Sequence, residues 1–97
     1  MKRLPTKIIS QEFYLGNTLR TTLEHTGYGG GDSGHGGFVK ITFEDLSCTH
    51  MELNGVEVHI IEIKFLGDCE RDSLLMSLKM IVKELEDNKR IIGYNYE

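Results

Sequence analysis

Over residues 38–46 apolar and polar positions alternate: Val39, Ile41 and Phe43 fall on one face, Lys40, Thr42 and Glu44 on the other. That period of two predicts a half-buried antiparallel strand. Asn54-Gly55 stands between two further alternating stretches, residues 48–53 and 56–60. Such a pair, both residues of which accept positive φ, predicts a type I′ hairpin in which Leu53 pairs with Val56. An earlier hairpin is predicted from Gly16-Asn17, a Gly-first pair suited to a two-residue type II′ turn, flanked by residues 8–15 and a threonine-rich arm at 18–25. Pairing Leu15 with Thr18 then sets Tyr14 against Leu19. It gathers Ile8, Tyr14, Leu19 and Leu23 on one side and leaves Phe13 and Leu15 on the other.

The alternation changes phase at two adjacent isoleucines: Val56, Val58 and Ile60 precede the slip, and Ile61, Ile63 and Phe65 follow it. A β-bulge at Ile60-Ile61 would return the apolar set to one face. From Asp72 or Ser73, either suited to N-capping, to about Asp87 the period becomes helical. Leu74, Leu75, Leu78, Ile81, Val82 and Leu85 form one stripe expected to pack on the sheet, with Met76 and Met80 on the opposite side. Asn88 can end this helix, and residues 90–96 read as a last strand with Ile92, Tyr94 and Tyr96 aligned. The predicted architecture is α+β: an antiparallel sheet of about five or six strands, two hairpins plus single strands, with one C-terminal helix packed on one face.

Ninety-seven residues amount to one domain, residues 1–97, too short for a two-domain enzyme. The apolar fraction of 39% and charged fraction of 27% indicate a globular chain. The net charge of −4 is uneven: residues 21–70 carry nine acids against Lys40 and Lys64, whereas the first twenty residues are basic. Without a basic stripe, nucleic acid is an unfavoured partner and a basic protein surface a better one. No stretch approaches the roughly 20 apolar residues of a membrane span, and the basic opening has no apolar run behind it, so a cytoplasmic location is expected. Cys48 and Cys69 are too few for a disulfide scaffold, have no CxxC spacing and read as reduced thiols.

Seven of the twelve residues at positions 26–37 are glycine, a composition that reads as one long loop. Successive glycine N–H groups can cradle an anion, so Tyr28, Gly30, Gly31, Asp32, Ser33 and His35 are the candidate ligand- or partner-binding residues. The loop nevertheless has no Walker lysine, and the Gly29–Gly34 match to GxGxxG has no helix behind it. These absences favour a connector, or a loop that orders on a partner, over a nucleotide site. Gly31-Asp32-Ser33-Gly34 resembles the segment around the nucleophilic serine of trypsin-like proteases. That family needs two barrels, which this length does not supply, so the four residues are assigned to chance.

The Asn54-Gly55 register has Glu52 facing Glu57 and His50 facing His59. Histidines across a ladder have Cβ atoms about 4.5–5.5 Å apart, so His50 and His59 are candidate zinc ligands, with a glutamate or Cys48 as a third. A solvated face on which histidines relieve the opposed glutamates is the simpler reading. Met76 and Met80, an i, i+4 pair of adaptable apolar side chains, form a candidate interface. With no catalytic residues assigned, the reading favoured by the sequence is a non-enzymatic protein-interaction module, accessory, inhibitor or antitoxin-like, that self-associates as a homodimer or other homo-oligomer. The alternative is a metal- or nucleotide-binding protein, or an enzyme, with its site formed between subunits at the loop or the histidine face.

Overall fold

A computed structural model describes residues 4–88. The elements run β1 (Lys7–Tyr14), β2 (Thr18–His25), a single 3₁₀ turn (Ser33–His35), β3 (Phe38–Ser47), β4 (Met51–Leu53), β5 (Val56–Val58), β6 (Ile60–Leu66) and α1 (Asp68–Asp87). This is the α+β class expected. The strands divide into a four-stranded antiparallel sheet, β1-β2-β3-β6, and a separate two-stranded β4-β5 sheet. The predicted strand at 90–96 lies outside the described residues.

The first hairpin differs from the sequence expectation by one residue. Tyr14 pairs with Thr18 and Phe13 with Leu19, so the turn holds three residues, Leu15, Gly16 and Asn17. The Leu15 N–H donates to the Asn17 carbonyl at 2.9 Å. Because side chains alternate, this slip exchanges the faces of β1. Ile9 and Phe13 join Leu19 and Leu23, while Ile8 and Tyr14 turn to the other side. The gain is visible on the polar face. Glu12 now lies opposite Arg20, which bonds it at 2.9 Å and reaches Glu44 at 3.2 Å, and Ser10 meets Thr22 at 3.0 Å.

Across the sheet the register builds one apolar face. Ile9, Leu23, Ile41 and Ile63 form one row, and Val39 with Phe65 and Phe43 with Ile61 flank it. The opposite face carries the Glu24–Lys40 pair, Glu62, and Lys64, whose ammonium sits 4.4 Å from the Phe38 ring centre.

The Asn54-Gly55 hairpin has the expected register: Leu53↔Val56 and Glu52↔Glu57, with φ of 54° and 81° at the two turn residues. The phase slip after it is not a bulge within one strand. The chain bends at His59, leaves the small sheet at Val58 and enters the large one at Ile60. Two strands in different sheets need not share a phase.

The helix begins at Asp68, one turn before Asp72 and Ser73. Its first residue is preceded by Gly67, which offers no side-chain cap. The sequence rule fails because tertiary carbonyls satisfy the end: Gly67 N–H donates to the Gly37 carbonyl at 2.9 Å and Asp68 N–H to the Gly31 carbonyl at 2.8 Å. Only the beginning of the apolar stripe lies on the sheet. Leu74 is half-buried, while Ile81, Val82 and Leu85 are 44%, 52% and 67% exposed, so the expected packing of the whole stripe is not what the chain adopts.

Candidate functional site

The glycine segment is a folded knot around the start of α1. Thr26 closes its base: the Phe38 N–H donates to Thr26 Oγ1 at 3.1 Å, and the Thr26 N–H to the Phe38 carbonyl at 3.2 Å. Within it the N–H groups of Gly29, Gly30 and Gly31 all point at the Asp68 carboxylate, at 2.7, 2.9 and 2.8 Å. This is the anion cradle that successive glycines allow, and the anion is the chain's own. The Gly29 N–H, with those of Gly30 and Gly31, holds the Asp68 carboxyl below the ordinary aspartate range against an opposing desolvation. The exchange is reciprocal, since Gly31 returns its carbonyl to the Asp68 N–H.

Two close approaches explain the glycines. A Cβ on Gly29 would lie 2.8 Å from Gly37 Cα, so two backbone stretches touch where no side chain fits. At Gly67, φ is +106° and a Cβ would lie 3.1 Å from Ser33 N.

The predicted binding residues are brought together only in part. Gly30 and Gly31 serve Asp68. Tyr28 donates its hydroxyl to Asp72 at 2.6 Å, with the Arg71 guanidinium 4.7 Å from its ring centre, and the Asp72 hydrogen bond raises the phenol above its ordinary value. Asp32 accepts from the Gly34 N–H at 2.9 Å and lies 3.2 Å from His35 Nδ1. Ser33 opens the 3₁₀ turn, and among the described residues no hydrogen bond joins its hydroxyl to His35. Asp32 and His35 are exposed and serve the turn.

The histidine face is likewise divided. His59 Nδ1 lies 3.1 Å from Asp45 Oδ2 and His50 Nδ1 lies 3.5 Å from Glu57 Oε2. Asp45 also accepts the Thr49 N–H at 2.9 Å, the largest influence holding its carboxyl below the ordinary range, followed by His59. Thr49 continues the chain of bonds to the Thr18 carbonyl and to Asn17 Nδ2. Asp45 therefore ties the β4-β5 hairpin to the sheet. Among the described residues no three His, Cys, Asp or Glu side chains converge as metal ligands. Cys48 and Cys69 are exposed thiols.

The largest unusual surface is apolar. Val39, 6% exposed, is the buried hydrophobic side chain among the described residues, whereas nineteen large hydrophobics are exposed. Where α1 first crosses the sheet, a cleft of about 150 Å³ opens between Leu23, Val39, Ile41, Leu74, His25 and Arg71. His25 Nδ1 accepts from the Gly27 N–H at 3.1 Å and lies 3.2 Å from Arg71 Nη1. Among the described residues the buried Arg71 Nε has no partner. Met76 and Met80, 65% and 63% exposed, lie on the far side of α1 from this cleft.

Asp68, Asp45 and Arg71 were not singled out by sequence reasoning. Asp68 carried one local signal, an acid directly after the Gly67 that ends an alternating stretch, which is where helix N-termini favour negative charge. Comparison of the chain with protein-family models, curated proteins and solved structures finds no match. Among the described residues no helix is long and apolar enough to cross a membrane.

Proposed function

We propose that this chain is a non-enzymatic protein-interaction module whose working surface is the apolar face shared by the sheet and α1. One observation carries the reading: among the described residues Val39 is the buried hydrophobic side chain, while Ile9, Phe13, Ile63, Ile81, Val82 and Leu85 stay exposed on that face. Hydrophobic burial is the dominant favourable contribution to folding, and a domain that leaves this much of it unused is completed by another surface. The glycine segment supports the same assignment from the other side. Its N–H groups are taken by Asp68, so the loop acts as a brace for α1 and leaves the apolar face as the surface on offer. The acidic middle of the chain favours protein partners over nucleic acid.

Native mass spectrometry of the untagged protein tests this. The expected spectrum shows the 11.0 kDa chain in a stoichiometric protein complex, with itself or another chain. A single chain retaining a stoichiometric metal or nucleotide, or a bare single chain at all concentrations, would overturn it.

A further inference from the structure

We propose that the partner is a second copy of this chain, and that the two pack face to face with the outer half of each α1 laid over the other's sheet. The inference rests on the reading of the apolar face as an interaction surface and names its occupant.

Three observations carry it. The first is area. The chain exposes 7562 Å², against roughly 5600 Å² for a compact monomer of its mass, an excess of about 1900 Å². A standard interface takes only about 800 Å² from each partner, and obligate homodimers take more. The second is shape. The radius of gyration is 16.4 Å, where about 12.5 Å is expected for a packed chain of this length, and the long dimension reaches 55 Å. The third is complementarity within one sequence. Ile81, Val82 and Leu85 continue the stripe whose beginning, at Leu74, already packs on this sheet, but among the described residues no strand lies beneath them. On the same apolar face, Ile9 and Phe13 of the edge strand β1 are 47% and 41% exposed, on the side of the sheet away from β3 and β6, which α1 touches. Among the described residues, each chain therefore has a helix segment lacking a sheet and a sheet region lacking a helix. A two-fold arrangement satisfies both at once, because an isologous interface pairs each patch with its complement twice.

This geometry assigns the interface to the Leu78–Leu85 side of α1 and not to Met76 and Met80, which gives the test. Sedimentation equilibrium of the whole chain at micromolar concentrations is expected to give twice 11.0 kDa. Leu85→Glu, at a position already 67% exposed in the single chain, is expected to stay folded by circular dichroism while its dimer dissociation constant rises roughly a hundredfold. Met80→Glu is expected to leave the dimer intact. In a mixed-labelled sample, isotope-filtered NOEs are expected between Val82 methyls of one chain and the Phe13 or Phe43 ring of the other. A dimer broken by Met80→Glu but not by Leu85→Glu, or one showing no such NOEs, would overturn the arrangement and leave the interaction-module reading standing. A complex with a different protein would do the same. A single chain whose apolar face is covered by its own residues 89–97 would overturn both.

Discussion

Asp68 sits at the centre of a structural exchange: its carboxylate receives three glycine N–H groups while its own N–H goes back to the loop. Asp68→Ala removes the acceptor and leaves three donors without it. Such a loss costs more than the bond itself contributed. The expected outcome is a melting temperature lowered by several degrees and amide exchange at Gly29–Gly31 faster by roughly tenfold or more, with Asp68→Asn intermediate because one oxygen remains. Unchanged exchange at those amides would show that the loop holds its shape without the carboxylate. The glycines divide in the same way. Gly29→Ala places a methyl 2.8 Å from Gly37 Cα, backbone against backbone, and is expected to cost about 2–4 kcal/mol in denaturant unfolding. Gly16→Ala meets nothing within 4 Å and is expected to be neutral, or to stabilise by about 0.4–1 kcal/mol through the unfolded chain.

At the level of elements, the β4-β5 hairpin depends on Asp45, whose carboxylate holds the Thr49 N–H and His59. Both Asp45 and Asp68 have carboxyls lowered from the ordinary value of about 4. A depressed folded-state value means that the stabilisation is complete above the unfolded value and is lost as pH falls through the folded one. Stability is therefore expected to decline below about pH 4. Exchange in residues 51–58 should accelerate before exchange in β2 and β3, and Asp45→Asn should bring that early loosening to neutral pH. Simultaneous loss of protection in both sheets would contradict a separate latch. The same elements show what the sequence made legible. Asn54-Gly55 fixed its hairpin because two positive-φ residues admit few alternatives, and Val39, Ile41 and Phe43 marked their face by strict alternation. The first hairpin was misread because Gly16-Asn17 also fits a three-residue turn. The choice was made by Arg20 meeting Glu12 and Glu44, partners drawn from different strands. The helix start escapes the sequence for the same kind of reason, since its caps are the carbonyls of Gly31 and Gly37, thirty or more residues away along the chain.

For the whole molecule, the apolar stripe of α1 was visible in the sequence, but its destination was not. A 3.6-residue period states that one side of a helix will be covered and is silent on whether the cover belongs to the same chain. Here the cover supplied by the described residues stops near Leu78, and under the proposed association the rest of the stripe, with the β1 side of the sheet, is what a partner would cover. Folding and association are then linked: whatever binds the folded state alone stabilises it by mass action. If the completing surface is a second copy, each tenfold rise in protein concentration adds about 1.4 kcal/mol per dimer and moves the melting temperature by roughly 3 °C for a dimer of this size. Scanning calorimetry across two decades of concentration is expected to show that displacement. A dye that reports exposed apolar surface should bind more per chain as the protein is diluted. Leu85→Glu should lower the melting temperature and raise the dye signal at each concentration, because it weakens the dimer while leaving each chain folded. A wild-type melting temperature independent of concentration, together with strong dye binding at every dilution, would mean that the face stays uncovered by like chains.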